Sequence, residues 1–262
     1  MLLGHLLKLN EIQEIGENLR SLEEVEPDFV EIKLNRDFKD YASKKLDDIL
    51  QSFSNPPIVH APEIELTSPF SVLYEAHLRL FTQAIDFARK IDASKMVLHP
   101  VISRTFNLSD EALFQMKVEM LEKLREMGES RSIMICLENT AESHEEMMRY
   151  FNAVDGLYLC LDVGHANLMG MENRAMEFIN NLGSYIRHLH LSDNYGGFSH
   201  FWDLHLPVGA GNIDFRSILG EVRKIYNDTI TLEVYGDVDY LLIGMGKIRD
   251  ILRDIEDERQ RH

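Results

Sequence analysis

Ile133-Met134-Ile135-Cys136-Leu137-Glu138 and Leu157-Tyr158-Leu159-Cys160-Leu161-Asp162 are the stretches whose reading decides the fold. Each is a run of apolar residues of strand length, and each stops on a carboxylate. Runs of the same kind recur along the chain. They are Phe29-Val30-Glu31-Ile32-Lys33, Pro57-Ile58-Val59-His60, Lys95-Met96-Val97-Leu98-His99, Ile186-Arg187-His188-Leu189-His190-Leu191 and Thr229-Ile230-Thr231-Leu232-Glu233-Val234. The opening Met1-Leu2-Leu3-Gly4-His5-Leu6-Leu7-Lys8 reads as a further strand. It has neither the basic n-region nor the small-residue cleavage site of a signal peptide. That makes about eight strands, the number that closes a (β/α)8 barrel.

Amphipathic stretches of helical length lie between the runs. Residues 70–92 place Leu73, His77, Leu80, Phe81, Ala84, Ile85 and Ala88 at helical spacing. Residues 109–128 open on Ser109-Asp110-Glu111, a cap with an acidic first turn, and end at Gly128. Residues 171–182, 214–226 and 238–256 behave alike, and the charged tail from Asp254 to His262 is expected to fray. Alternating β and α units imply a parallel sheet. An open doubly wound sheet is the rival, but the glycine-rich phosphate turn that would point to a dinucleotide is not found after the first strand. With no internal repeat and no composition break, the expectation is one α/β TIM-barrel domain over residues 1–262.

Composition narrows the function classes. Lys and Arg number 27 against 44 Asp and Glu, a net charge of −17 that repels nucleic acid at long range. It leaves room for phosphate binding at one locally positive site. No apolar stretch reaches the roughly 18 residues of a membrane span. The two cysteines, Cys136 and Cys160, both fall inside strand-like runs and read as buried free thiols, so a reducing cytoplasm is the expected location.

The strand ends carry the chemistry. His60, His99, Glu138, Asp162 and His190 close or nearly close five consecutive strands, and Glu233 falls near the end of the last. The C-terminal strand ends of such a barrel converge on one face, so residues scattered through the sequence would meet in one pocket. A polar strand end taken singly is usually a cap or a solvent contact; a series made only of His, Asp and Glu points to a shared metal. Asp162-Val163-Gly164-His165 adds an imidazole three residues on. In Asp203-Leu204-His205 both side chains would point the same way if the segment is extended. Such donors suit zinc, and also manganese or cobalt. The long segment Tyr195 to Asn212 holds the only tryptophan, Trp202, and reads as a substrate lid or an apolar plug. His5, His77, His144, His200 and His262 are expected on the surface or in packing. His188 is expected inside the barrel, as filling or as a donor behind the site.

These motifs resemble the xylose isomerase-like TIM barrels, a superfamily that includes the endonuclease IV enzymes. The resemblance rests on His60-Ala61-Pro62, His99-Pro100, Leu137-Glu138-Asn139-Thr140 and Leu161-Asp162-Val163-Gly164-His165. It continues through His190-Leu191-Ser192-Asp193, Asp203-Leu204-His205, Gly209-Ala210-Gly211-Asn212-Ile213 and Leu232-Glu233. It implies up to three zinc ions. The first would be held by His60, His99 and bridging Glu138, the second by Glu138, Asp162, His190 and Glu233, the third by His165, Asp203 and His205. Four carboxylates against three divalent ions would leave the site at about +2, suited to a phosphate ester. The parts that engage DNA in the endonucleases look changed: Pro62-Glu63-Ile64 replaces an aromatic, Leu191-Ser192-Asp193-Asn194 lacks a following lysine, and Val163-Gly164 is unusual. Asn35-Arg36 remains a candidate phosphate contact.

Two activities follow from the resemblance. One is phosphoester hydrolysis at a multinuclear centre, on a small phosphorylated substrate or abasic DNA. The other is isomerisation or epimerisation of a sugar or sugar phosphate on a single ion, with Glu138 and Glu233 shuttling the proton and His165 binding substrate. A ligand-binding barrel without catalysis is the third, weaker expectation.

Overall fold

Apolar strands that alternate with helices find their partners in sequence order. In the computed structural model each strand pairs in parallel with the next, and β1 (Leu2–Lys8) pairs with β8 (Thr229–Leu232) to close the barrel. The strands between are β2 (Phe29–Lys33), β3 (Ile58–His60), β4 (Lys95–Leu98), β5 (Met134–Glu138), β6 (Tyr158–Asp162) and β7 (Ile186–Leu191). The structure describes residues 1–8, 22, 24–34, 44–102, 107–236 and 238–261. Asn35, Arg36 and His262 fall outside these, as does the side chain of His200.

Among the described residues the helices are α1 (Lys44–Leu50), α2 (Ser71–Lys90), α3 (Asp110–Ser130), α4 (His144–Ala153), α5 (Val163–Ala166), α6 (Ala175–Leu182), α7 (Phe215–Ile225) and α8 (Val238–Gln260). Ser109 caps α3 as its sequence predicts, accepting the Ala112 N–H. A capping box of Ser143 and Glu146 starts α4. On α2, Phe81, Ala84, Ile85 and Ala88 are buried as expected, whereas Leu73 lies exposed in the first turn. The C-terminal tail departs from expectation: it is helical to Gln260. The apolar face of α8 continues to buried Ile255, and Arg216 pairs with Asp254 and Glu258 while Arg223 pairs with Glu256. These pairs tie the last turns to α7.

Residues two apart on a strand share a face, and that parity sorts the interior. The outward residues join the helices in one large apolar core. His5 shares the outer face of β1 with Leu3 and Leu7. The inward residues form a small lower plug of Phe29, Ile58, Val97, Cys136 and Cys160, with both cysteines free. The Phe29 ring fills the space where a Cβ on Gly4 would stand, so glycine is required there. The interior also holds polar side chains, with Glu31, Lys95, His188, Thr229 and Thr231 all buried. No helix among the described residues is long and apolar enough to cross a membrane.

Candidate metal centre

The upper inward positions, with the segments just beyond them, bring all nine expected ligands together. His60, Glu138 and Asp162 are the last residues of their strands, and His190 is the last but one of β7. His99 and Glu233 stand one residue past β4 and β8. Register fixes their neighbours: Asp162 lies opposite His190, and Glu138 opposite Cys160. Asn139 locks the ends of β5 and β6 by exchanging two bonds with the Asp162 backbone, each 2.9 Å.

Glu138 is the hub. Its Oε2 lies 3.1 Å from His99 Nε2, 3.2 Å from His190 Nδ1 and 3.4 Å from His60 Nε2. Its Oε1 lies 3.1 Å from His165 Nδ1. His190 Nδ1 also faces Glu233 Oε1 at 3.4 Å and Asp162 Oδ2 at 3.9 Å. Asp162 Oδ1 accepts the His165 N–H at 2.6 Å, opening the single turn of α5 that carries His165 inward. Asp203 Oδ2 then stands 3.1 Å from both His165 Nε2 and His205 Nε2. Donor atoms of Glu138, Asp162, His190 and Glu233 form one potential ligand group, and those of His165, Asp203 and His205 another. His60 joins Glu138 and His190 in a third, and joins His99 and Glu63 in a fourth.

The expected extended segment at Asp203-Leu204-His205 is not how those two converge. His205 takes a left-handed backbone with φ of 45°, a conformation that costs energy away from glycine and concentrates at functional sites. The turn swings the ring back so that its Nδ1 reaches the Glu233 carbonyl at 2.8 Å.

Do these residues fit metal ions? The buried polar atoms without a hydrogen-bond partner include His60 Nε2, Glu138 Oε1, Asp162 Oδ2, His190 Nδ1, Asp203 Oδ1 and Glu233 Oε1. Each belongs to an expected ligand. Several are close to one another yet make no hydrogen bond, because they aim at shared space rather than at each other. Buried carboxylates at this density need compensating cations, so the donor set fits.

The remaining ring nitrogens settle the tautomers. A carbonyl oxygen only accepts, so an imidazole nitrogen bonded to one must carry the hydrogen. His60 Nδ1 donates to the Ala61 carbonyl at 3.0 Å, His165 Nδ1 to the Asn139 carbonyl at 3.0 Å, and His205 Nδ1 to the Glu233 carbonyl. Each leaves Nε2 for the centre. His190 is reversed: its Nε2 meets the Glu31 carboxylate at 3.1 and 3.2 Å, and its Nδ1 faces inward.

The electrostatics show a demand for positive charge. Burial favours neutral imidazoles, but the facing carboxylates outweigh it and hold His60, His165 and His205 above the ordinary value. His190 is held well above it too, against burial, by Cys160, Glu31, Glu138 and Glu233. Burial pushes Asp162 up to about 7, with Glu138 and Glu233 adding to the rise and His165 opposing it. Burial works the same way on Glu138, but His190, His99 and His165 keep it well below the usual carboxylate range. The surrounding groups thus hold protons where divalent ions would supply charge.

A cleft of about 560 Å³ opens on the centre. Val101, Ile102, Leu113, Phe114 and Tyr150 form its apolar wall, and Lys33, Lys117 and Arg149 bring cations. The Asp193 carboxylate anchors the following loop by accepting the N–H groups of Asn194, Gly209, Gly211 and Ile213. Phe198, Phe201 and Trp202 are exposed near its tip, so this segment is no buried plug.

Three residues were missed by sequence reasoning. Glu31 lies fully buried at the middle of β2, and its signal was a carboxylate inside an otherwise apolar run. Lys33, two residues on, pairs with Glu63 at 2.5 Å. Burial works to neutralise Lys33, but Glu233, Glu63 and Tyr235 raise its pKa further than burial lowers it. Glu63 itself offers a carboxylate beside His60 and His99.

A model of the xylose isomerase-like TIM-barrel family matches residues 19–255. An uncharacterized protein of Methanocaldococcus jannaschii is 29% identical over 191 residues, covering 67% of this chain and 63% of that protein. The chain thus spans less than two thirds of that relative. A probable endonuclease 4 of Thermoplasma volcanium is 26% identical over 201 residues, covering 70% of this chain and 69% of its own. Among solved structures, a D-tagatose 3-epimerase-like protein superposes with a TM-score of 0.84 at 23% identity, covering 98% of this chain and 99% of the other.

Proposed function

The chain belongs to the xylose isomerase-like TIM-barrel family, and from that premise we propose that it is a divalent-metal-dependent phosphoester hydrolase of the endonuclease IV kind. The observation that carries this reading is the excess of donors. Glu138, Asp162, His190 and Glu233 suffice for one ion, yet His165, Asp203 and His205 form a complete group beyond them, and His60 and His99 flank Glu138 on its other side. A single-ion isomerase has no need of Asp203 and His205.

When bound, divalent ions supply a nucleophilic water at neutral pH and neutralise charge on the phosphate and the leaving oxygen. Zinc suits this mixture of imidazole and carboxylate donors, with manganese or cobalt as alternatives. Glu138, Asp162, Asp203 and Glu233 balance that charge. The Nδ1 bonds to backbone carbonyls keep three imidazoles aimed before substrate arrives. Lys33 adds a cation that stays charged, next to Glu63 and within reach of phosphate oxygens entering the cleft. A cleft of about 560 Å³ suits a small phosphorylated molecule. The charge of −17 disfavours a duplex.

One observation favours a second reading, a sugar or sugar-phosphate isomerase or epimerase on one ion. Glu138 and Glu233 each keep Oε1 without a hydrogen-bond partner in a buried ligand group, as a pair of proton-shuttling bases would. Metal analysis of the purified protein separates the two, followed by assays with phosphodiester model substrates, sugar phosphates and abasic duplex. About three ions per chain with phosphoester cleavage supports hydrolysis, and cleavage confined to abasic duplex would move the substrate to DNA. One exchangeable manganese, epimerised sugar and no cleavage would overturn it.

A further inference from the structure

Of the four imidazoles whose orienting partner is known, three lean on backbone carbonyls and one does not. His190 gives its outer nitrogen to Glu31, a carboxylate with no exposed surface. Glu31 is also met by His188 Nε2 at 3.0 Å. The chain continues: His188 Nδ1 lies 2.8 Å from Thr229 Oγ1, and Lys95 Nζ lies 2.7 Å from that oxygen and 2.6 Å from Asp228 Oδ2.

The bonds of this row share one consistent set of directions. An ammonium can only donate, so Lys95 donates to Thr229 Oγ1 and to Asp228. The Thr229 hydroxyl hydrogen is then free for His188 Nδ1. In that arrangement His188 carries its hydrogen on Nε2, which faces Glu31 Oε2 and Thr231 Oγ1 at 3.0 Å each. Two imidazole nitrogens converge on one buried carboxylate, His188 Nε2 at 3.0 Å and His190 Nε2 at 3.1 and 3.2 Å. With both imidazoles aimed at its oxygens, this carboxylate serves as their acceptor, and His190 places its hydrogen on Nε2.

We propose that Glu31, held by His188, is a positioning residue for the centre: it fixes the hydrogen of His190 on Nε2 and thereby presents the Nδ1 lone pair to the ion shared with Glu138, Asp162 and Glu233. The inference rests on the metal-dependent reading above. A carboxylate behind a ligand imidazole raises its donor strength and sets its angle, and its loss typically costs 10–100-fold in metal affinity.

The test compares wild type with Glu31→Gln. This variant keeps the shape of the side chain and can turn an N–H₂ toward His190. Zinc affinity is read by competition with a chromophoric chelator. The second readout is the imidazole N–H resonance of His190 in zinc-loaded, nitrogen-15-labelled protein. The expectation is a roughly 10–100-fold weaker affinity for one zinc, unchanged affinity for the others, and loss or upfield movement of that resonance. His188→Gln leaves Glu31 in place and should give a smaller loss in the same site, so the idea stays testable should Glu31→Gln fail to fold. Unchanged zinc affinity and an unchanged resonance in both variants would overturn the role of Glu31 alone. A wild-type chain that takes up no zinc, manganese or cobalt would sink the metal reading, and this inference with it.

Discussion

Replacing Asp193 with Asn should unfold the loop that supplies Asp203 and His205 without touching either of them. Asp193 has no exposed surface. Its Oδ2 accepts from Gly209 N–H at 2.8 Å and Gly211 N–H at 2.9 Å; its Oδ1 accepts from Asn194 N–H at 2.9 Å and Ile213 N–H at 3.3 Å. An amide retains one accepting oxygen, and its N–H₂ must face two of those four donors. Each stranded buried N–H costs about 1–3 kcal/mol. Two of them give about 2–6 kcal/mol, before any repulsion between donors. At roughly 2–4 °C per kcal/mol for a chain of this size, a loss near 3 kcal/mol lowers the melting midpoint by about 6–12 °C. Space offers no escape, because Gly211 already lies against Asp193 Oδ1 and the Asn194 backbone. The assay is thermal unfolding by circular dichroism, run beside metal analysis. The expected outcome is the lowered midpoint together with selective loss of the ion assigned to His165, Asp203 and His205. A midpoint within about 1 °C of wild type would refute the claim that this carboxylate holds the loop.

Two further outcomes are expected. The raised groups His60, His165, His190, His205 and Asp162 bind protons more tightly in the folded chain, so each adds stability at low pH that drains away as pH climbs through its folded value. The depressed carboxylates Glu31, Glu138 and Asp203 titrate far below this range, so chelator-treated protein should melt progressively lower as pH climbs above about 6.5 while zinc-loaded protein does not; a flat or rising midpoint without metal contradicts the charge balance. Gly164→Ala would drive a Cβ onto the Ser192 hydroxyl and to within 3.2 Å of Asp162 Oδ1. It should cost about 1–3 kcal/mol in denaturant titrations and weaken metal uptake at the group proposed to include Asp162, and a neutral result would show that Ser192 can yield.

The convergence of the strand-end residues was legible because barrel closure depends on patterns that sequence carries directly: strand length, alternation and the order of β and α units. Once eight parallel strands close, His60, His99, Glu138, Asp162, His190 and Glu233 have nowhere to meet but one mouth. The rest depends on tertiary contacts. Glu31 reads as a stray charge until the parity of β2 turns it toward His190. The meeting of Asp203 with His205 needed a left-handed turn that no local propensity favours at histidine. The tail reads as frayed because its charges look solvated, and it is helical because Arg216 and Arg223 on α7 answer those charges across the surface. Lys33 ends β2 and Glu63 lies in the loop after β3, and their pairing at the cleft is invisible to spacing along the chain.

The mixed orientation of the imidazoles has a consequence for variation. A main-chain carbonyl cannot be mutated, so the orientations of His60, His165 and His205 are guaranteed by the course of the backbone whatever side chains surround them. His190 alone of these four depends on a side chain that one codon can change. Inheritance can therefore adjust the electron richness of this centre at a single remote dial, deep in the barrel and away from the substrate, while the other three settings stay welded to the fold.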